Sequence, residues 1–215
     1  MGLLKNKYAI VTGAASARGL GKATAQMFAE HGATIAILDL DADAAKAAAA
    51  DLGKGHVGLA CNVTDKDACN AAIQTLMDSW GRIDILVNNA GITQPLKIME
   101  IEPQNYDAVT DVNLRGTLYV SQAVIPGMIA QKSGSIVNLS SVSAQRGGGI
   151  FGGPHYSAAK AGVLGLTKAM ARELAPDNVR VNAICPGFIA TDITAGKLTA
   201  DQQQMVLDGI PMGRA

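Results

Sequence analysis

The chain has 215 residues, of which 48% are apolar and 17% charged, and its 18 basic and 18 acidic side chains balance to a formal charge of zero. This length and composition indicate one compact domain over residues 1–215 and exclude an intrinsically disordered chain. Because no run is rich in Lys or Arg, no nucleic acid or anionic membrane surface is expected as a partner. No apolar run approaches the roughly 18 residues of a membrane span.

The cysteines and histidines are scattered along the chain. Cys61, Cys69 and Cys185 are an odd number and form no CxxC pair, which argues against a disulfide framework and against a structural zinc site. We therefore expect a metal-independent protein in a reducing compartment. The N-terminal stretch MGLLKNK lacks the apolar centre of a signal peptide, so a cytoplasmic location is expected.

In chain order, short β-branched runs alternate with longer Ala-rich segments. The runs predict strands at 8–11, 34–39, 56–60, 83–87, 135–139 and 179–184, and the segments between them predict helices near 21–30, 42–52, 66–80, 103–130 and 157–174. Alternation of this kind is typical of βαβ units, and continuous apolar strands indicate a parallel sheet that is covered on both faces. The sequence predicts an α/β fold with a doubly wound parallel sheet in three α/β/α layers, which binds its ligands beyond the carboxyl ends of the strands.

The turn after the first predicted strand reads TGAASARGLG and covers residues 12–21. Its glycines, Gly13, Gly19 and Gly21, do not follow the usual G-x-G-x-x-G spacing. Glycine nevertheless lets the backbone approach a ligand closely, and the free N–H groups of the following helix favour a phosphate. The pattern alone is compatible with either a cofactor loop or an ordinary surface turn.

Asp39 ends the second predicted strand, twenty residues after Gly19. A carboxylate at this place can accept hydrogen bonds from both ribose hydroxyls of NAD and would repel a 2′-phosphate. Asp39 could instead cap the next helix, although Asp41 or Asp43 could serve in that role. The aspartate and the glycine turn together favour nucleotide binding.

Four further motifs end later strands or open later helices: NNAG (88–91), NLSS (138–141), YSAAK (156–160) and PGFIAT (186–191). This ordered set resembles the short-chain dehydrogenase/reductase family, and most of all its bacterial 3-oxoacyl-carrier-protein-reductase-like branch. The resemblance covers almost the whole chain and implies a Rossmann-type oxidoreductase of class EC 1.1.1.-. Such an enzyme transfers hydride between NAD or NADP and a secondary alcohol or ketone. The family's turn is T-G-x-x-x-G-x-G, here with two extra residues.

The resemblance implies the catalytic roles. Tyr156 would be the general acid for carbonyl reduction and the base for alcohol oxidation, while Lys160, four residues on, would lower the pKa of Tyr156 and bind the nicotinamide ribose. Asn113, in NLRG, would hold a local helix break and a proton-relay water, unless it simply faces solvent. Aligned from NLSS, the serine that polarises the substrate carbonyl is Ser141, and counted thirteen residues back from Tyr156 it is Ser143. We favour Ser141, with Ser140 as a hydrogen-bonding loop residue.

The resemblance also implies where the cofactor lies. Asn62 stands where the family usually has an aspartate, and its amide oxygen could accept from the adenine amino group, whereas Thr191 would hold the carboxamide. The full set of expected cofactor contacts is Gly13, Ser16, Arg18, Gly19, Leu20, Gly21, Asp39, Leu40, Asn62, Val63, Asn89, Ala90, Gly91, Tyr156, Lys160, Pro186, Gly187, Ile189 and Thr191.

Two residues disagree about which cofactor is used. Arg18 precedes the second glycine of the turn, a place where a basic residue accompanies NADP preference in this family because guanidinium pairs well with phosphate. Asp39 opposes a 2′-phosphate. We therefore predict NAD as the favoured cofactor and NADP as a possible one, with the direction of the Arg18 side chain deciding between them.

Substrate recognition and assembly are expected from the resemblance as well. The substrate is a small carbonyl or alcohol compound that no motif identifies, bordered by Ser143, Gln94, Gln145, His155 and Phe188, with residues 194–208 as a mobile lid. A homo-oligomer, either a tetramer or a dimer, is expected. Because relatives continue beyond PMGRA, the chain is expected to lack a last helix and a seventh strand. Two other functions stay open: a non-catalytic nucleotide-binding regulatory protein and an inactive truncated form.

Overall fold

A computed structural model describes residues 2–149, 152–192 and 199–215. Within these residues six parallel strands form one sheet: β1 (Tyr8–Thr12), β2 (Thr34–Asp39), β3 (Val57–Ala60), β4 (Ile85–Asn88), β5 (Gly134–Leu139) and β6 (Val179–Ile184). Their order across the sheet is β3-β2-β1-β4-β5-β6, and every neighbouring pair is parallel. This is the doubly wound order of dinucleotide-binding folds, which confirms the predicted fold class.

Helices connect the strands and cover the sheet. They are α1 (Leu20–Glu30), α2 (Ala42–Ala50), α3 (Lys66–Trp80), α4 (Pro103–Thr110), α5 (Gly116–Gln131), α6 (Ser143–Arg146), α7 (Pro154–Leu174) and α8 (Ala200–Asp208). Short 3₁₀ turns lie at Ile98–Glu100 and Ala175–Asp177. The structure describes no helix that is both long and apolar enough to cross a membrane.

Alternate residues of the central strands enter two separate apolar cores. Ile10 of β1 packs in the core formed with α3 and α5, whereas its neighbours Ala9 and Val11 pack in the core formed with α1 and α2. Successive side chains of a strand point to opposite faces, so a strand that is buried on both faces needs apolar residues throughout. The continuous apolar runs of the sequence therefore follow directly from the three-layer arrangement.

The predicted helix 103–130 is interrupted at Asn113, where the resemblance implied a local helix break. A π-helical turn, Asp111–Arg115, separates α4 from α5. Within this wide turn the Asn113 side-chain N–H donates to Val109 O at 2.8 Å, and the Thr117 hydroxyl donates to Asn113 O at 2.9 Å. Side-chain groups thus satisfy backbone carbonyls here, as is common where a helical ladder is interrupted.

Two segments fall partly outside the described residues. Of the predicted lid 194–208, residues 194–198 lie outside them, and most of the remainder forms α8. The Gly-rich segment 147–153 likewise includes residues 150 and 151, which are not described.

Candidate active site

A cavity of about 600 Å³ lies at the carboxyl edge of the sheet. Its volume is in the range of small-molecule sites, and it lies where doubly wound sheets bind their ligands. The predicted residues that line it are Gly13, Ser16, Arg18, Gly19, Leu20, Asp39, Leu40, Asn62, Val63, Asn89, Ala90, Gly91, Asn113, Ser141, Ser143, Tyr156, Lys160, Pro186, Gly187, Phe188, Ile189 and Thr191.

Gly21 is absent from the lining and has a packing role instead. A β-carbon at Gly21 would approach Asn89 Nδ2 to 2.5 Å, so a side chain here would push the start of α1 away from the loop after β4. The requirement for glycine at this position is close packing of helix and strand ends, which is the role of the last glycine in related turns.

The NNAG motif holds the first loop in place. Thr12 Oγ1 accepts hydrogen bonds from the backbone N–H groups of Asn89 and Ala90, both at 3.0 Å. In return Asn89 Nδ2 donates to Thr12 O at 2.9 Å and to Gly13 O at 2.8 Å. Gly13 has φ +62, and a β-carbon there would lie 2.6 Å from Ala90 Cα. The carboxyl ends of β1 and β4 are therefore joined into one rigid floor.

Asp39 faces the same loop and caps no helix. Its Oδ2 accepts from the Ala15 N–H at 2.9 Å, and its Oδ1 accepts from the Leu40 N–H at 2.8 Å. The N-cap of α2 is Asp41, whose carboxylate accepts from the N–H groups of Asp43 and Ala44. Each Asp39 oxygen has one such bond and retains capacity for a second.

Arg18 is engaged by an acid that the motifs did not single out. Its backbone N–H donates to Asp192 Oδ2 at 2.9 Å, and its Nε donates to Asp192 Oδ1 at 3.0 Å. The N–H of Asp192 donates back to Arg18 O at 3.0 Å. Backbone and side-chain hydrogen bonds from Arg18 lower the pKa of the Asp192 carboxyl. The Arg18 side chain is thus paired with Asp192, and among the described residues it forms no ion pair with Asp39.

Asn62 has a different contact from the one predicted. Its Oδ1 accepts from the Thr64 N–H at 3.1 Å and from the Thr64 hydroxyl at 2.9 Å. Because an amide oxygen has two lone pairs, both are used within the turn after β3. Asn62 thus shapes the turn and lines the cavity, and its adenine contact stays a prediction.

The three principal catalytic candidates come together at the start of α7 and the end of β5. Burial raises the pKa of the Tyr156 phenol, the Ser141 hydroxyl lowers it in part, and Ser141 stays the preferred site serine over Ser143. Lys160 Nζ lies 5.8 Å from the centroid of the Tyr156 ring and donates to Leu139 O at 2.7 Å. Ser140 donates to the backbone carbonyl of Lys160 at 2.8 Å, as expected of a loop residue.

The pKa of Tyr156 departs from the prediction. Burial raises the pKa of this phenol, and the hydrogen bond with Ser141 opposes that effect. The expected lowering by Lys160 is not found, because the ammonium of Lys160 bonds a carbonyl rather than the phenol. Burial also lowers the pKa of Lys160 to about 8.

Asn113 has an acceptor without a partner. The side chain is fully buried in the π-helical turn, and its Nδ2 donates to Ile92 O and Val109 O, both at 2.8 Å. Its Oδ1 has no hydrogen-bond partner among the described residues. A β-carbon placed on Gly91 would lie 2.7 Å from this oxygen and 3.4 Å from Lys160 Nζ. Buried acceptors are nearly always satisfied, so this spot fits a water or a ligand hydroxyl.

The predicted substrate residues divide into two groups. Ser143 and Phe188 line the cavity, whereas Gln94, Gln145 and His155 do not. His155 is only 2% exposed, and its Nε2 lies 3.2 Å from Gln94 Oε1. The imidazole packs between the loop after β4 and the start of α7. The structure therefore does not support substrate contact by His155 or Gln94. Gln145 is exposed on α6.

Sequence reasoning also missed a buried amide network that crosses the site's floor. Asn88 Nδ2 donates to Ser121 Oγ at 3.0 Å and to Asn138 Oδ1 at 2.9 Å, and Asn138 Nδ2 donates to Thr167 Oγ1 at 2.9 Å. These bonds tie β4 and β5 to α5 and α7. The available signal was an asparagine inside each of two otherwise apolar runs, since a buried amide requires partners.

Metal ligands are not clustered. The described ranges contain no group of three His, Cys, Asp or Glu residues that could hold a metal ion.

The fold and the cavity define a Rossmann-type enzyme class, and comparison with known proteins identifies the family. The family model described as short chain dehydrogenase matches residues 7–202. The chain belongs to this family, which makes it an oxidoreductase acting on CH–OH or C=O groups, in the branch that resembles 3-oxoacyl-carrier-protein reductases.

Individual relatives agree with this assignment. The chain is 55% identical to the uncharacterized short-chain type dehydrogenase/reductase y4mP of Sinorhizobium fredii, and the match covers 99% of this chain and 85% of the relative. It is 44% identical to the 3-oxoacyl-[acyl-carrier-protein] reductase FabG of Thermotoga maritima, over 98% and 85% of the two chains.

Solved structures show the same fold. The crystal structure of gox2181 superposes with a TM-score of 0.93 at 34% identity, covering 99% of this chain and 84% of that one. A short-chain type dehydrogenase/reductase from Mycobacterium marinum gives a TM-score of 0.92 at 33% identity, covering 98% and 83%.

Proposed function

We propose that this single domain catalyses reversible hydride transfer between NAD(P) and a secondary alcohol or ketone, with Tyr156, Lys160, Ser141 and Asn113 as its catalytic set. The observation that carries the proposal is the convergence of these four side chains on one cavity, with Lys160 buried and its Nζ 5.8 Å from the centroid of the Tyr156 ring. Polar groups with perturbed pKa values in one concave site are a feature of active sites.

The residues around the cavity fit a dinucleotide. Asp39 offers two acceptor oxygens at the end of β2, and the loop between β1 and α1 presents the start of a helix, where backbone N–H groups favour phosphate. The unpartnered Asn113 Oδ1 and the spare donors of Lys160 face the region beside Gly91. When bound, the cofactor supplies a nicotinamide ring that accepts or releases hydride.

The chain's own residues move and hold the proton. Tyr156 donates its phenolic proton to the carbonyl oxygen in reduction and takes it back in oxidation, while the Ser141 hydroxyl orients that oxygen. Its raised pKa keeps Tyr156 protonated before the ligand binds. Lys160, with a pKa of about 8, is still mostly charged at neutral pH. It uses one of its three donors on Leu139 O, so the others can bind a ribose hydroxyl or a water at Asn113.

The reaction is tested by a panel of ketones, β-keto thioesters, sugars and polyols with NADH and NADPH, followed by Tyr156→Phe on the best substrate. Removing the general acid should lower kcat by about 10²–10⁴. Tyr106→Phe is the matched control, because this half-exposed tyrosine of α4 lies outside the cavity and should leave kcat near the wild-type value. Cofactor binding without turnover, and without loss in Tyr156→Phe, would instead favour a regulatory nucleotide-binding protein.

We further propose that NAD is preferred over NADP. Asp39 would accept bonds from the adenosine ribose, and its negative charge would oppose a 2′-phosphate. Asp39→Ala should therefore raise the ratio of kcat/KM for NADPH over NADH, by about tenfold for roughly 1.4 kcal/mol of relieved repulsion. An unchanged ratio would remove Asp39 as the basis of the preference. Asp41→Ala changes the same charge two residues away at the cap of α2 and should leave the ratio as it is.

We also propose a cytoplasmic setting. Cys61, Cys69 and Cys185 are an odd number without a CxxC pair, which favours a reducing compartment. A homo-oligomer, tetramer or dimer, stays a prediction from the family. Sedimentation equilibrium would test it, and a monomer at all concentrations would contradict it.

A further inference from the structure

The loop between β1 and α1 is held at two points by two different acids. Asp39, at the end of β2, accepts from the Ala15 N–H at 2.9 Å. Arg18 lies three residues after Ala15. Its backbone N–H and its Nε–H donate to the two carboxylate oxygens of Asp192. One acid fixes the loop from the β2 side, and the other fixes it from the segment after β6.

The two acids follow strands that are far apart in the sheet. β2 and β6 have β1, β4 and β5 between them, so at about 4.8 Å per strand the ends of these two strands lie on the order of 19 Å apart. The segment after β6 lines the cavity and brings Asp192 to Arg18. The backbone bond from Asp192 N–H to Arg18 O at 3.0 Å completes the connection.

Arg18 and Asp192 share three hydrogen bonds, so their contact is more than an exposed ion pair. The Arg18 side chain is 70% exposed and that of Asp192 36%, and an ion pair this open contributes little by charge alone. Here the two backbone bonds set the geometry, and the Nε bond then aligns the guanidinium with the acid. Both residues border the cavity, so the pair lies within reach of whatever binds there.

We propose that Asp192 is a cofactor-selectivity residue that acts through Arg18. By holding the guanidinium on the β6 side of the loop, Asp192 withholds from the adenosine end of the cavity the cation that would pair with a 2′-phosphate. Asp39 repels that phosphate, and Asp192 removes the charge that would compensate the repulsion. The inference rests on the proposed function, because it concerns how the same cavity distinguishes NAD from NADP.

The chemistry requires the existing bond to break before a phosphate can be bound. A guanidinium binds phosphate through parallel, charge-assisted N–H bonds in a fork. Turning that fork toward Asp39 would break the bond between Nε and Asp192 Oδ1. Asp192→Asn retains an acceptor for the Arg18 backbone N–H but loses the charge that attracts the guanidinium, so it should release the side chain while keeping the loop.

The test measures binding of two fragments that contain no nicotinamide: adenosine 2′,5′-bisphosphate and 5′-AMP. In Asp192→Asn the ratio of their dissociation constants should shift toward the bisphosphate by about tenfold, which corresponds to about 1.4 kcal/mol. Asp201→Asn is the matched control, since it removes an exposed acid of α8 outside the cavity and should leave the ratio unchanged. Asp192→Ser, which removes the carboxylate entirely, should repeat the shift if Asp192→Asn fails to fold.

The double variant separates the proposed route from a general charge effect. If Asp192 acts through Arg18, the gain for the bisphosphate disappears in Arg18→Ala/Asp192→Asn. A gain that persists without Arg18, or a ratio that does not move in Asp192→Asn while both fragments bind, overturns this inference alone. Failure of both fragments to bind the wild-type chain would contradict the proposed function as well.

Discussion

The two edges of the sheet treat buried polar groups in opposite ways. At the amino edge, Asp84 has a side chain that is only 4% exposed and accepts from Lys7 Nζ, from the Tyr8 N–H and from Arg82. At the carboxyl edge, Lys160 is equally buried and donates to a single carbonyl, and Asn113 Oδ1 has no partner in the described part of the chain. One edge is saturated with bonds, and the other retains unused capacity.

The difference shows which groups serve the fold and which serve a ligand. Two cations and a backbone N–H offset the burial of Asp84, and they hold its pKa below the usual range although desolvation opposes them. Lys160 has no acid near it, and its pKa is lowered. Sites that bind or react commonly carry such uncompensated groups at the expense of stability.

Asp84→Ala should have the largest effect on stability. It removes a buried acceptor of one backbone N–H and two cations at the starts of β1 and β4, which should lower the free energy of unfolding by about 3 kcal/mol. Urea denaturation measures it, and Glu173→Ala, at an exposed position of α7, is the control. A loss below about 0.5 kcal/mol would mean that the amino edge is not a stabilising cluster.

Lys160→Met should raise the free energy of unfolding. At pH 7 the wild-type chain buries a charged ammonium, so the free energy of unfolding of the variant should be about 2 kcal/mol higher, while catalytic activity is lost. This is less than the full desolvation cost, because Leu139 O loses its donor. Lys168→Met on the exposed face of α7 is the control.

The pH dependence of that gain provides a check on its cause. The pKa of Lys160 is lowered from 10.5 in the unfolded chain to about 8 in the folded one, so the destabilisation is complete below pH 8 and fades as the pH rises toward 10.5. The stability difference between Lys160→Met and wild type should therefore shrink above pH 8. A constant difference would point to packing rather than charge.

The smallest expected effect on stability comes from two histidines, one near the amino edge and one near the carboxyl edge of the sheet. Burial lowers the pKa of His56, whose Nδ1 accepts from the Ile35 N–H, and that of His155 beside Gln94. Because the pKa of each imidazole is lower in the folded chain, the unfolded chain takes up a proton at a higher pH. The stabilisation that each neutral histidine contributes is therefore complete above pH 6.5 and is lost as the pH falls below it.

Melting temperatures from pH 7.5 to 5 test this in variants that keep each hydrogen bond and do not titrate. His56→Asn places an acceptor oxygen near the position of Nδ1, and His155→Gln places an amide N–H near Nε2, which faces the acceptor Gln94 Oε1. Each should flatten the acid slope of Tm, and a slope identical to wild type in both would assign the loss to other groups. Replacing His31, the third histidine, is the control because its ring makes neither contact.

Much of the fold could be predicted because each signal was local. Apolar runs correctly predicted six strands, and Ala159, Val163 and Met170 lie at helical spacing on the buried face of α7. Periodicity alone did not locate the break at Asn113, since a π-helical turn preserves the helical character of the residues around it, and only the family resemblance implied it. Within this turn the Asn113 side chain bonds Val109 O, a contact that no propensity reports.

The site also contains residues that the sequence motifs located and residues that they did not. Ser141 could be preferred over Ser143 from the motif at the end of β5, and both serines line the cavity. His155 and Gln94 lie outside the cavity lining, because proximity to a motif in sequence does not say whether a side chain faces the cavity or the packing behind it.

By itself the sequence determined the α/β class, the order of the strands and helices along the chain, and the family to which the chain belongs. These depend on residue type and spacing, which are properties of a linear pattern. Only the tertiary structure decided which charges meet, Arg18 with Asp192 and Asp84 with Lys7 and Arg82. It also decided that the buried Asn113 Oδ1 has no partner within the described part of the chain. Arg18 and Asp192 are 174 residues apart, and bonds across such separations form only when the sheet brings its strand ends together.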